Sequence, residues 1–189
     1  MMPFIMGNAE SIPEEYKQYL PMIDACKIST KLIGQVGYLT ITETVVKLGE
    51  TQRKPGIHTD SGYGLIYMAN NLPNSCRVWD EEIYSTDPYG DCEEYRDSLG
   101  KGITIEPNIL YMLNENCPHE SLPVEKEGER QFFRLVTGPL QAWWEGDSTP
   151  NRLKIVPPST CEIKRGHKFK SMEEEAESLS RFTSSYPCW

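Results

Sequence analysis

The sequence predicts a mainly β fold, two packed sheets or a closed barrel of the jelly-roll kind, with helices at its flanks. Three observations carry that expectation. The middle of the chain is a succession of short runs rich in β-branched and aromatic residues, bounded by Gly, Pro, Asn or Asp. Helix signals stand towards the two ends. The length of 189 residues suits one domain, residues 1–189 with a core at about 37–146, and is enough to bury a core without disulfides.

Taken in order, residues 11–26 (SIPEEYKQYLPMIDAC) open on Ser11, a Pro and two acids, an N-terminal helix signature, with Pro21 expected to break or end the helix. Residues 37–48 (GYLTITETVVKL) read as a strand from their β-branched content. GLIYMAN (64–70) and SCRVWDEEI (75–83) read as two more, joined by a turn at 71–74. Residues 84–101 mix Gly, Pro, Asp and Tyr without periodicity and read as a long loop, a lid over a site or a solvated acidic segment. Strands resume at 102–107, 109–114, 130–138 and 140–146. From Ser171, SMEEEAESLSRF has a Ser cap and early acids that suit a helix dipole, and its acids read as a solvated face. Short strands flanked by helices are the pattern of a sandwich or barrel.

Composition narrows the function classes. With 28 acidic and 19 basic residues, the formal charge of −9 leaves no basic surplus to displace counterions, so a nucleic-acid backbone is not the expected partner. No stretch approaches the roughly 18 apolar residues of a membrane span. MMPFIMGNAE lacks the basic start and long apolar run of a signal peptide. A cytoplasmic protein without a membrane partner is therefore expected. The six cysteines are scattered with no CxxC pair, which argues against a zinc ribbon and reads as free thiols in a reducing compartment.

The chain has three histidines, His58, His119 and His167. In GIHTDSG, residues 56–62, His58 precedes Asp60 by two positions, and on an extended chain such residues point to the same side. His119 follows at the end of the apolar run ILYMLN, within NENCPHESLP. Two histidines and a carboxylate on one face of a metal leave the opposite positions open, the arrangement of non-haem Fe(II) oxygenases. His58, Asp60 and His119 are thus the candidate metal ligands and catalytic centre. Arg130 opens the next strand, RQFFRLV, and its guanidinium suits one end of a dicarboxylate. Arg134, four residues on, faces the same way on a regular strand, and two arginines pointing inward need anionic partners.

HTD, then IEPNILYMLNENCPHESLP, then RQFFRLV resemble the catalytic core of Fe(II)- and 2-oxoglutarate-dependent dioxygenases, most closely the prolyl-hydroxylase branch, over roughly residues 37–140. The resemblance implies a double-stranded β-helix (jelly-roll, cupin-like) with Fe(II) at its mouth. His58, Asp60 and His119 match the ligands, and Arg130 the residue that binds the cosubstrate 2-oxoglutarate. Arg134 stands as a second residue for the cosubstrate or for an anionic group of the substrate. The implied reaction uses O₂ to oxidise, by hydroxylation in the first reading, a C–H bond of a small molecule or peptide, releasing succinate and CO₂. There are departures from the branch. Tyr67 is one residue out of register with its pocket tyrosine, which would put Met68 in the pocket. A second Arg four after the first also occurs in superfamily members that act on sulfonates and carboxylates.

Two other classes use the same residues: a hydrolase or isomerase with zinc or another metal on a cupin-like barrel, and a jelly-roll binding module without turnover. Trp143 and Trp144 read as core rather than pocket floor. His167, in KRGHKFK, reads as a surface residue. Cys117, two before His119, has no matching ligand pair for a Cys/His zinc site.

Overall fold

The computed structural model describes residues 1–51, 56–60, 62, 64–84, 90–138 and 141–167. The helix expected from Ser171 lies outside them, as do residues 85–89 of the 84–101 segment. Strands β1 (Met2–Ile5), β2 (Val36–Val46), β8 (Gly128–Val136), β3 (Ile66–Asn70) and β6 (Tyr111–Leu113) form an antiparallel sheet in that spatial order. A second antiparallel sheet has the order β5 (Ile103–Thr104), β4 (Cys76–Val78), β7 (His119–Ser121). A short parallel pair joins β9 (Ala142–Trp144) to β10 (Glu162–Lys164). The protein is therefore mainly β, as expected. No helix among the described residues is long and apolar enough to cross a membrane.

Strand β8 explains how the sheets come together. Its odd residues Phe133 and Leu135 pack outward with Met2, Phe4, Ile12, Tyr19, Ile23 and Tyr67, under a layer of short N-terminal helices. Phe132 points to the other side and joins Met68, Cys76, Val78, Ile105 and Leu113, a cluster with members from both sheets. A strand covered on both faces does not alternate apolar and polar residues. RQFFRLV is such a sequence, and its two arginines share the Phe132 face.

The N-terminal layer corrects one expectation. Instead of a helix over 11–26 there are 3-10 turns at Ala9–Ser11 and Glu14–Tyr19, followed by α1 at Leu20–Ala25. Ser11 is not an N-cap. Asn8 caps the first turn by accepting from the Glu10 N–H at 3.0 Å, while the Ser11 hydroxyl donates to the Asn8 carbonyl at 2.6 Å. Pro21 lies in the first turn of α1 rather than ending a helix, because an N–H there has no intrahelical partner to lose. Strands β1, β7 and β10 are unsignalled in the sequence, being three or four residues each. Trp143 is core, its ring 4.7 Å from that of Tyr38, and Trp144 is buried beneath Lys164. Cys26, Cys76, Cys92, Cys117 and Cys161 are buried, and no disulfide is formed among the described residues.

Candidate metal centre

The His58 segment is too short for a named strand, yet it is held on both edges. His58 and His119 form an antiparallel pair: the His58 N–H donates to the His119 carbonyl at 3.0 Å, and the His119 N–H to the His58 carbonyl at 2.9 Å. Directly opposed residues project to the same face, so the two imidazoles meet, with ring centroids 4.4 Å apart. On the other edge, Thr59 donates to the Gly90 carbonyl at 2.8 Å, and Cys92 to the Ile57 carbonyl at 2.9 Å. The described part of the 84–101 segment thus borders the site.

Both imidazoles are fixed in the same way. Nδ1 of His58 lies 3.0 Å from the Gly56 carbonyl oxygen, and Nδ1 of His119 lies 3.0 Å from the Cys117 carbonyl oxygen. A carbonyl only accepts, so Nδ1 carries the proton in each, and a neutral ring then offers Nε2 as a lone-pair donor. Asp60 Oδ2 lies 3.6 Å from Nε2 of His119. That same oxygen accepts a hydrogen bond from Nη2 of Arg134. Among the described residues, no group of three His, Cys, Asp or Glu side chains stands in metal-holding geometry. Asp60 is instead ion-paired with Arg134.

The two arginines enter the same cavity from β8. It is bounded by His58, Asp60, His119, Arg130 and Arg134, with Met68, Cys76, Ser121 and Phe132 completing the wall, and has about 380 Å³ of empty volume including its opening. All five of these residues are at most 6 % exposed. Among the described residues, Nε and Nη1 of Arg130 are buried without hydrogen-bond partners. Its guanidinium lies 4.5 Å from the centre of the Phe132 ring, a cation–π contact that offsets part of the desolvation. Burial pushes its pKa down to about 10, so it remains a cation at neutral pH. A buried cation with vacant donors is a binding place for an anion.

The structure brings all five residues singled out from the sequence to one cavity, where Arg134 is ion-paired with Asp60. Met68 lines the cavity, whereas Tyr67 turns to the outer core and donates to the Lys27 carbonyl at 2.9 Å. Cys117 is taken up by the Trp79 carbonyl, which its thiol meets at 3.2 Å. His167 is half-exposed and pairs with Asp147 at 2.9 Å.

Several supporting residues escape sequence reasoning. Glu93 Oε2 accepts from the Ile57 N–H at 2.9 Å, and Glu115 Oε2 accepts from Gly62 at 2.8 Å and Gly64 at 3.1 Å. Carboxylates thus hold the chain on both sides of the HTD motif. Arg96 bonds both Glu93 and the buried Glu120, which follows His119 and also pairs with Arg77 at 3.1 Å. The i,i+3 spacing of Glu93 and Arg96 was a visible signal; their attachment to the histidine strands was not.

No protein-family model matches the chain, and no curated protein matches it. Among solved structures, a non-heme monooxygenase, ThoJ, in a nickel complex aligns with a TM-score of 0.32 and 11% identity, covering 79% of this chain and 61% of that one. The apo form of ThoJ gives a TM-score of 0.31 and 11% identity, covering 79% and 62%. The chain spans about three fifths of the length of these structures.

Proposed function

We propose that this chain is an Fe(II)- and 2-oxoglutarate-dependent oxygenase on a double-stranded β-helix. The observation that carries the reading is the opposed His58–His119 pair, both Nδ1 atoms on carbonyls, beside a buried Arg130 with vacant donors. Strand order supports the fold. Counting β2, the His58 segment and β3 to β8 as eight positions in chain order, one sheet reads 1-8-3-6 and the other 2-7-4-5. That interleaving is what winding a hairpin into two facing sheets produces.

In this reading His58 and His119 present Nε2, and Asp60 its carboxylate, to one metal, and their supports keep the opposite side open. Bound iron with 2-oxoglutarate would supply the oxidising power for C–H oxidation, with succinate and CO₂ as products. Arg130 binds the distal carboxylate of the cosubstrate and sets its orientation. The apolar wall of Met68 and Phe132 limits water around that ion pair, which strengthens it. The substrate is a small molecule or peptide and O₂ the co-reactant. One observation favours a second reading: the Asp60–Arg134 ion pair would suit a binding module in which Asp60 is structural.

Anaerobic addition of Fe(II) and 2-oxoglutarate separates the two. A weak visible charge-transfer band is expected with the wild type and not with His58→Ala or His119→Ala. No band in the folded wild type overturns the oxygenase reading and favours the module.

A further inference from the structure

Arg130 and Arg134 share one face of β8 and one cavity, but differ in their surroundings. Arg130 has vacant donors, while Arg134 is held by a carboxylate. The Asp60–Arg134 pair is buried, with side chains 4 % and 3 % exposed. Its carboxylate oxygen, Oδ2, is the one that also approaches Nε2 of His119. A cation therefore already stands at the oxygen that a metal shared with His119 would need.

We propose that Arg134 is an internal gate on the metal centre: its guanidinium competes with a divalent metal for Asp60, and metal entry releases it into the cavity beside Arg130. This rests on the metal-binding reading of His58, Asp60 and His119. Moving Arg134 away from Asp60 brings two like-charged guanidiniums together in one cavity, which is costly until an anion arrives. Metal and dicarboxylate then bind cooperatively, each raising the affinity of the other by the same factor. The metal-free protein keeps Asp60 neutralised and its ligand set incomplete, and the centre assembles when metal and anion are both present.

The test is a titration with Mn(II), free ion followed by electron paramagnetic resonance, with and without succinate. Arg134→Gln keeps hydrogen-bonding capacity but removes the competing charge. It should bind Mn(II) about tenfold more tightly than the wild type, or more, a change of about 1.4 kcal/mol. Succinate should tighten Mn(II) binding to the wild type several-fold and to Arg134→Gln much less. Should Arg134→Gln fail to fold, Arg134→Met removes the same charge from an apolar-walled cavity and should also bind Mn(II) more tightly. Mn(II) binding in the folded variant equal to or weaker than the wild type overturns the gate and leaves the metal centre standing. If neither protein binds Mn(II), or His58→Ala binds it as well as the wild type, the metal reading and the gate fall together.

Discussion

Arg130 is a buried cation whose desolvation costs free energy. Its charge is buried, with two nitrogens unpartnered among the described residues and the Phe132 ring 4.5 Å away. Replacing a buried ion pair by apolar side chains of similar size is often neutral or stabilising by about 1–4 kcal/mol, and a buried charge without a counter-ion has less attraction to lose. Arg130→Met should therefore raise the melting temperature of the metal-free protein, by about 2–4 °C for each kcal/mol gained in a chain of this size. The same substitution should raise the apparent 2-oxoglutarate constant by about 30-fold or more, since each 1.4 kcal/mol is about tenfold. Thermal denaturation and cosubstrate titration on one variant check both, and a lowered melting temperature would show that Arg130 is compensated after all. The sign with pH follows from its depressed pKa. The penalty is fully present below about 10 and is relieved only as pH rises through that value, so Arg130 adds no pH dependence near neutrality. Burial also pushes the thiols of Cys26 and Cys76 up to about 12 and that of Cys117 to about 11. These thiols should resist iodoacetamide at pH 8 in the native protein and react once it is unfolded, as peptide mapping would show.

The element that decides the site is the short His58 segment, which depends on its neighbours. Gly90 approaches it so closely that a Cβ there would lie 2.3 Å from the Thr59 carbonyl oxygen, and its φ of +74° disfavours other residues. Gly90→Ala should push the segment away and weaken Mn(II) binding at least tenfold, roughly the effect of 1.4 kcal/mol at the site. Gly100→Ala is the control: its φ is +65°, but nothing lies within 4 Å of its Cβ. Equal effects of the two on Mn(II) affinity would mean that backbone strain, not the contact with Thr59, is responsible. The HxD spacing was legible because i and i+2 share a side on any extended chain. The 90–92 edge was not, because pairing through backbone groups leaves no mark on side-chain pattern. Strand β7 was invisible for a related reason. Its residues, His-Glu-Ser, are polar, and the strand exists through pairing with β4 and the His58 segment.

At the scale of the molecule, a metal bound between the sheets would couple to folding. A ligand at 100 times its dissociation constant stabilises by about 2.7 kcal/mol. Saturating Mn(II) with succinate should thus raise the wild-type melting temperature by about 5–11 °C. His119→Ala should lose that shift while still unfolding cooperatively. A shift of the same size in His119→Ala would place the ion elsewhere. The sequence by itself determined that the chain is mainly β, because runs of β-branched residues between turn formers have few other uses. It also singled out His58, Asp60, His119, Arg130 and Arg134 as candidates, through the i,i+2 and i,i+4 spacings of extended chain together with the family resemblance, and these five line one cavity. The tertiary structure decided their relations. That His58 opposes His119, that β8 is covered on both faces, and that Asp60 meets Arg134 all depend on register between segments far apart in the chain. Register is set by the packing of whole faces, and no local pattern encodes it.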